Sequence, residues 1–391
     1  MLRKAIVSPK FGQAHLIVAV VFVEEKIMSF GKVVATTVML CGTALVAGTA
    51  FVGIVDRPVK TAAHTKMHII ETPERVEIVN ATTRVTVDSA AIEAVWRNWL
   101  LEYGVRQSSF TIARDGEILQ SFGDARSPDA VYAVASLSKA STGMCLNQLL
   151  IESPYTWNST ISDLAPEFAK MNFTPADEVL DLTLAQIATH TRGLPKILEY
   201  GNLSTRSTNL SSQPTMARAA LKEPANFGAR DSFLYSNANY AILGFLIEAM
   251  SGESYGDHCT ASIMLPAGAT DAGVMGRMAK AAGYGGWSVS TEDYARFAMH
   301  WFASDQPWMT SPQNYAYDSE TGYGMGAYVY PQRGGVSVCH SGRWTHSDPN
   351  MPSIGAMLYI ATDGTTVVAN WNGSLDSEAY SALAQALRNV Q

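Results

Sequence analysis

Residues 323–371 read YGMGAYVYPQRGGVSVCHSGRWTHSDPNMPSIGAMLYIATDGTTVVANW. Four runs in this stretch have the composition of strands: Tyr323–Tyr330, Val336–His340, Ile354–Ala361 and Thr365–Trp371. Thr362-Asp363-Gly364 supplies a turn between the last two. Beyond them, Ser377 to Val390 closes the pattern as a helix. Towards the other end, Asp88-Ser89 precedes Ile92, Val95, Trp96, Trp99 and Leu100, the spacing of an amphipathic helix behind an N-cap. Phe110–Ala113 and Ile118–Phe122 then flank Asp115-Gly116, a hairpin signature. From roughly 156 to 290 the chain is looped and mainly helical. The expected class is therefore α+β: an antiparallel sheet assembled from both ends of one domain and flanked by terminal helices. A mainly helical second lobe completes it, with a cleft between the two.

Of the 391 residues, 47% are hydrophobic, which excludes a disordered chain. Only 16% are charged, against roughly 25% in an average soluble protein, so part of the chain is expected in a membrane. The 23 residues Val33–Val55 carry no charge, and as a helix would extend about 35 Å, enough to cross the hydrocarbon layer. Residues 1–32 then read as a leader, 33–55 as a membrane anchor or signal segment, 56–88 as a linker and 89–391 as the folded domain. Gly48-Thr49-Ala50 is a small-residue site at which a signal peptidase would release the domain, so anchored and secreted forms both remain open. Lys plus Arg total 28 against 35 Asp plus Glu, a net charge of −7 with no basic run, which sets nucleic acid aside as a partner. Cys41, Cys145, Cys259 and Cys339 form no CxxC pair and no cluster with histidine, so no zinc site is expected. They read as buried free thiols, with one disulfide among the last three left open.

Three short motifs carry chemistry. In Ser136-Leu137-Ser138-Lys139, a helix beginning near Ser136 brings Lys139 onto the same face one turn along, within reach of the hydroxyl. A lysine in a dry pocket loses its proton more easily and can act as a base. The apolar residues that follow, from Ala140 to Leu150, mark a buried central helix. In Tyr235-Ser236-Asn237, a phenol beside a lysine can shuttle a proton, and an amide can hold a substrate carbonyl. This motif opens an amphipathic helix ending at Gly252. In His340-Ser341-Gly342, a glycine on an edge strand permits close approach of a substrate, and the Arg343 N–H can join that of Ser136 as an oxyanion hole. Singly the motifs are weak, since Ser29-Phe30-Gly31-Lys32 and Tyr200-Gly201-Asn202 match by chance.

Their order, about a hundred residues apart, resembles the Ser-x-x-Lys, Ser-Asp-Asn, Lys-Thr-Gly series of β-lactamases and penicillin-binding proteins. The closer resemblance is to the branch with tyrosine in the second motif: class C β-lactamases, D-alanyl-D-alanine carboxypeptidases, D-aminopeptidases and related serine esterases. It covers about 89–391 and includes ATHTRGLP at 188–195 and GGWSVSTEDYARF at 285–297. The resemblance implies the β-lactamase/penicillin-binding-protein fold and a serine hydrolase needing no cofactor and no metal. It makes Ser136 the nucleophile, Lys139 its base, Tyr235 the proton relay, and Asn237, His340 and Gly342 substrate-binding residues. His190 reads as structural.

Histidine stands at 340 where this branch usually has lysine, a permanent charge for a substrate carboxylate. Efficient penicillin hydrolysis is therefore not expected, and Arg343 is the residue that restores a positive charge. The leading expectation is a membrane-tethered or exported hydrolase of a small ester, amide or lactone, with a small molecule or peptide as substrate. A cell-wall peptidase or weak β-lactamase is the second, and a catalytically silent receptor the third. Oligomeric state is not legible.

Overall fold

A computed structural model describes residues 87–191, 212–222, 232–332, 334–345 and 352–390. The run 33–55 expected to meet the membrane lies outside the described residues, as does most of 56–88. Among the described residues no helix is long and apolar enough to cross a membrane.

Helix α1 (Ser89–Glu102) starts where Asp88 accepts a hydrogen bond from the Ala91 N–H at 2.9 Å. Strands β1 (Arg106–Arg114) and β2 (Glu117–Asp124) follow as an antiparallel hairpin. Its two turn residues, Asp115 and Gly116, have φ of 53° and 82°, the two positive values that a tight hairpin needs. The remaining strands are β3 (Tyr132–Ala133), β4 (Gly273–Val274), β5 (Trp287–Val289), β6 (Tyr317–Asp318), β7 (Tyr323–Gly324), β8 (Ala327–Gln332), β9 (Gly335–Trp344), β10 (Ile354–Ile360) and β11 (Thr366–Asn372). Eight of the eleven described strands form one antiparallel sheet in the order β2-β1-β11-β10-β9-β8-β7-β6, and β3-β5-β4 make a second, smaller one. The sheet thus pairs β1, from the start of the domain, with β11, from its end.

The other described helices of ten residues or more are α2 (Ser138–Ile151), α3 (Gln213–Lys222), α4 (Asn237–Ser251), α5 (Thr291–Trp301) and α6 (Ser377–Arg388). Helices α1 and α6 share one face of the large sheet, joined by a 2.9 Å hydrogen bond from Trp99 Nε1 to the Ala379 carbonyl. Trp96 stacks on Phe110 and Trp99 meets Trp371 edge-on, at centroid distances of 4.7 and 5.0 Å. On the opposite face α5 lies against β1, where Thr111 donates to Thr291 at 2.9 Å. Both faces are therefore covered, which is why all seven residues of β10 are buried.

Three expectations need correcting. The run Tyr323–Tyr330 is two strands, because Met325 and Gly326 turn the chain with φ of 53° and 84°. A Cβ at Gly326 would collide with the Lys139 carbonyl, so the turn presses directly on α2. Helix α4 is not amphipathic: from Ala238 to Ile247 every residue is buried, and α4 is a central element like α2. Cys145 and Cys259 are not free thiols but a disulfide between α2 and the segment beyond α4.

Candidate active site

Ser136 sits in a single 3-10 turn, Ala135–Leu137, that leads straight into α2. Ala135 holds φ of 48°, an uncommon state for a residue with a Cβ, and it turns the chain from β3 into the helix. Two contacts brace the turn. The Trp287 N–H donates to Ser138 Oγ at 3.1 Å, and Gly342 lies so close to the Val134 carbonyl that any Cβ there would collide with it. The close approach that requires glycine at 342 is thus to the chain's own backbone behind Ser136.

Lys139, one turn into the helix, is wholly buried. Its Nζ lies 3.1 Å from Ser136 Oγ, 2.7 Å from Asn237 Oδ1 and 2.9 Å from the Tyr284 carbonyl oxygen. The last two are pure acceptors. They take two N–H bonds, and the third tetrahedral position faces the serine. Asn237 is the first residue of α4, whose N-cap Ser236 accepts from the Ala238 N–H at 3.2 Å. Tyr235 precedes the cap, with its ring centroid 4.9 Å from Lys139 Nζ. Ser136, Lys139, Asn237 and Tyr235 are therefore brought together.

The segment that carries Tyr235 into α4 is held from behind by His190. Its Nδ1 accepts from the Ser236 N–H at 3.3 Å and is 3.0 Å from Asn239 Nδ2, while its ring lies 4.6 Å from that of Tyr235. Both donors use Nδ1, so the ring proton is on Nε2. Burial, and then the charge of Lys139, push the His190 imidazole well below its ordinary pKa.

His340 is 2% exposed and points into an aromatic nest rather than into open cleft. Its Nδ1 is 2.8 Å from the Ser341 carbonyl and so carries the proton, leaving Nε2 to accept from the Tyr323 hydroxyl at 3.2 Å. Burial raises the Tyr323 phenol well above its ordinary value, which keeps it a donor. Burial, reinforced by Lys139, lowers His340 to about 3, so it is neutral at any physiological pH. The third motif places no charge in the site. Arg343, two residues beyond Ser341, is exposed and donates from Nη1 to the Leu375 carbonyl at 3.0 Å.

Strand β9 is not an edge strand along its whole length. Strand β8 pairs with Gly335–Cys339 and stops there, whereas β10 accompanies β9 to Trp344. From His340 onward one side of β9 has no partner strand among the described residues. The sequence missed the Tyr284 carbonyl, because a backbone oxygen leaves no mark in residue identity.

The sequence model of the Beta-lactamase family matches residues 87–377. Protein flp of Staphylococcus aureus (strain N315) is 28% identical over 194 residues, 47% of this chain and 38% of that protein. The chain thus spans well under half the length of that relative. The octameric penicillin-binding protein homologue from Pyrococcus abyssi has the same fold, with a TM-score of 0.61 at 20% identity over 78% of each chain. So does D-amino acid amidase from Ochrobactrum anthropi SV3, with a TM-score of 0.55 at 14% identity over 77% of this chain and 98% of that one. A match over residues 87–377 that takes in all three motifs establishes that the chain belongs to the β-lactamase family of serine hydrolases.

Proposed function

We propose that the protein is an exported, membrane-tethered hydrolase that cleaves a small ester, amide or lactone through an acyl-enzyme on Ser136. The observation that carries this reading is the coordination of Lys139. Once the ammonium whose charge acts on His190 and His340 has given up a proton, Asn237 Oδ1 and the Tyr284 carbonyl hold the two hydrogens that remain. The lone pair is left facing Ser136 Oγ at 3.1 Å, the arrangement of a base about to accept the serine proton.

The steps balance as follows. The Ser136 hydroxyl proton passes to Lys139 Nζ as Oγ bonds to the substrate carbonyl carbon. The bond from that carbon to the leaving group breaks, and Tyr235 relays the proton from Lys139 to the departing oxygen or nitrogen. Water then adds to the acyl ester, loses a proton back along the same relay, and the Ser136–acyl bond breaks to regenerate the hydroxyl. The Ser136 N–H, in the first turn of a helical segment where helical bonding leaves donors free, is offered to the developing oxyanion together with the Arg343 N–H.

Substrate choice follows from charge. Neutral His340 offers no cation to a carboxylate, which supports ester and amide chemistry over efficient β-lactam hydrolysis. Arg343, beside the open edge of β9, is assigned the residual preference for substrates with a free carboxylate. Export is supported by the uncharged run 33–55 and by the Cys145–Cys259 disulfide, a bond that persists in oxidising compartments.

The test is intact mass after treatment with a fluorophosphonate, a penicillin or a p-nitrophenyl ester. A fluorophosphonate adduct on Ser136 with rapid ester turnover is expected, and no adduct with any reagent would replace the reading with a receptor role. A long-lived penicillin adduct would favour a peptidase acting on D-amino-acid peptides. The unpaired side of β9 from His340 supports that second reading, since an extended peptide can align along it. Arg343→Ala is expected to lower discrimination between acid and amide substrates, and unchanged selectivity removes its assigned role.

A further inference from the structure

The small sheet sets two chain exits side by side. The Val134 N–H donates to the Trp287 carbonyl at 3.1 Å, and Val274 pairs with Trp287 from the other side, so two strand spacings, about 10 Å, separate Val134 from Val274. Both β3 and β4 run antiparallel to β5 and so parallel to each other. Val134 leads in two residues to Ser136, and Val274 leads in three to Arg277. On the β4 side the Met275 carbonyl accepts from Ser288 Oγ at 3.2 Å, and Gly276 turns the chain with φ of 70°.

Arg277 reaches from that turn to the large sheet. Its guanidinium carbon stands 4.9 Å from the centre of the Trp344 ring, and Nη2 donates to the Pro352 carbonyl. Trp344 ends β9 two residues beyond Gly342, about 7 Å along the strand, and strand alternation gives both the face turned to Val134 and Ser136. Arg343, between them, takes the opposite face, where it meets the Leu375 carbonyl. Arg277 is thus an exposed cation on the catalytic face of β9. Partial burial lowers its pKa with no acidic neighbour among the described residues acting against the shift, so no described carboxylate neutralises it.

The opposite end of the unpaired stretch of β9 fixes the direction of a substrate. His340 stands there beside Tyr235, with ring centroids 6.3 Å apart, and Tyr235 serves the leaving group. A substrate laid along β9 therefore keeps its leaving group at His340 and sends its acyl chain towards Trp344. We infer that Arg277, stacked on Trp344, is the specificity residue for that acyl chain and selects one ending in a carboxylate. The substrate class is then a monoester or monoamide of a short dicarboxylic acid, whose far carboxylate meets the planar fork of the guanidinium. This rests on the acyl-enzyme reading and adds to it the identity of the acyl group.

The test compares two esters on the full-length protein: 4-nitrophenyl hydrogen glutarate, whose acyl end is a carboxylate, and its methyl ester, whose acyl end is neutral. A preference for the acid of about tenfold or more in kcat/KM is expected, shrinking at high salt. Arg277→Gln is expected to remove that preference through KM for the acid, while leaving the methyl ester within about threefold of the parent. Equal kcat/KM for the two esters in the parent would overturn the inference. So would a preference that survives Arg277→Gln, or an equal loss on both esters, which marks a merely structural contact. Failure of the acyl-enzyme reading looks different, since neither ester is then turned over and no fluorophosphonate adduct forms on Ser136.

Discussion

Lys139 is an ionisable group with no exposure, and its value to the protein rests on where its few hydrogens go. Replacing it with methionine keeps the length and removes the base, so labelling of Ser136 by a fluorophosphonate is expected to slow by about 10²–10⁴-fold, the usual range for a positioned proton acceptor. A rate within threefold of the parent would assign the proton to another group. The buried imidazoles set a second expectation. His340 is depressed to about 3 and His190 is lowered in the same direction, so below the unfolded value of roughly 6.5 only the unfolded chain binds their protons. Stability attributable to His340 is therefore present above that pH and lost as the pH falls from about 6.5 towards 3, at up to about 1.4 kcal/mol per pH unit. Denaturant midpoints measured from pH 7 to pH 4 should fall less steeply for His340→Gln, and parallel curves would show that the imidazole is charged in the native state. The spacing of Ser136 and Lys139 was legible because it is local to one helical turn. The neutrality of His340 was only partly so, because its depression depends on burial by residues distant in sequence.

Among elements, β9 and the turn carrying Ser136 are held at their distance by a missing side chain. Gly342→Ala would drive a Cβ into the Val134 carbonyl and push β9 away from the 3-10 turn. A cost of about 1–3 kcal/mol is expected from such overpacking, with at least tenfold slower acylation; a urea titration and a labelling time course read the two separately. Unaltered labelling with lowered stability would mean that the strand can retreat without disturbing Ser136. The hairpin at Asp115-Gly116 was legible in the sequence, because a two-residue turn needing positive φ restricts the residues that fill it. The break at Met325-Gly326 was not, since the turn is imposed by its contact with α2 and the flanking residues still read as strand.

At the scale of the whole molecule, the sheet closes only when β1 meets β11, and the nucleophile helix is tied by a bond that spans 114 residues of sequence. Replacing Cys145 and Cys259 together with alanine should lower unfolding free energy by about 2–5 kcal/mol, read by denaturant titration with and without a reductant. A double variant as stable as the parent would show that this bond contributes nothing. The residues alone decided the α+β class, the hairpin, the terminal helices and the three motifs, because each depends on periodicity or spacing within one or two turns of chain. Packing decided the disulfide partners, the central burial of α4, the uncharged state of His340 and the carbonyl of Tyr284 behind Lys139. Those features arise from desolvation and from contacts between distant segments, and neither is a property of any local stretch.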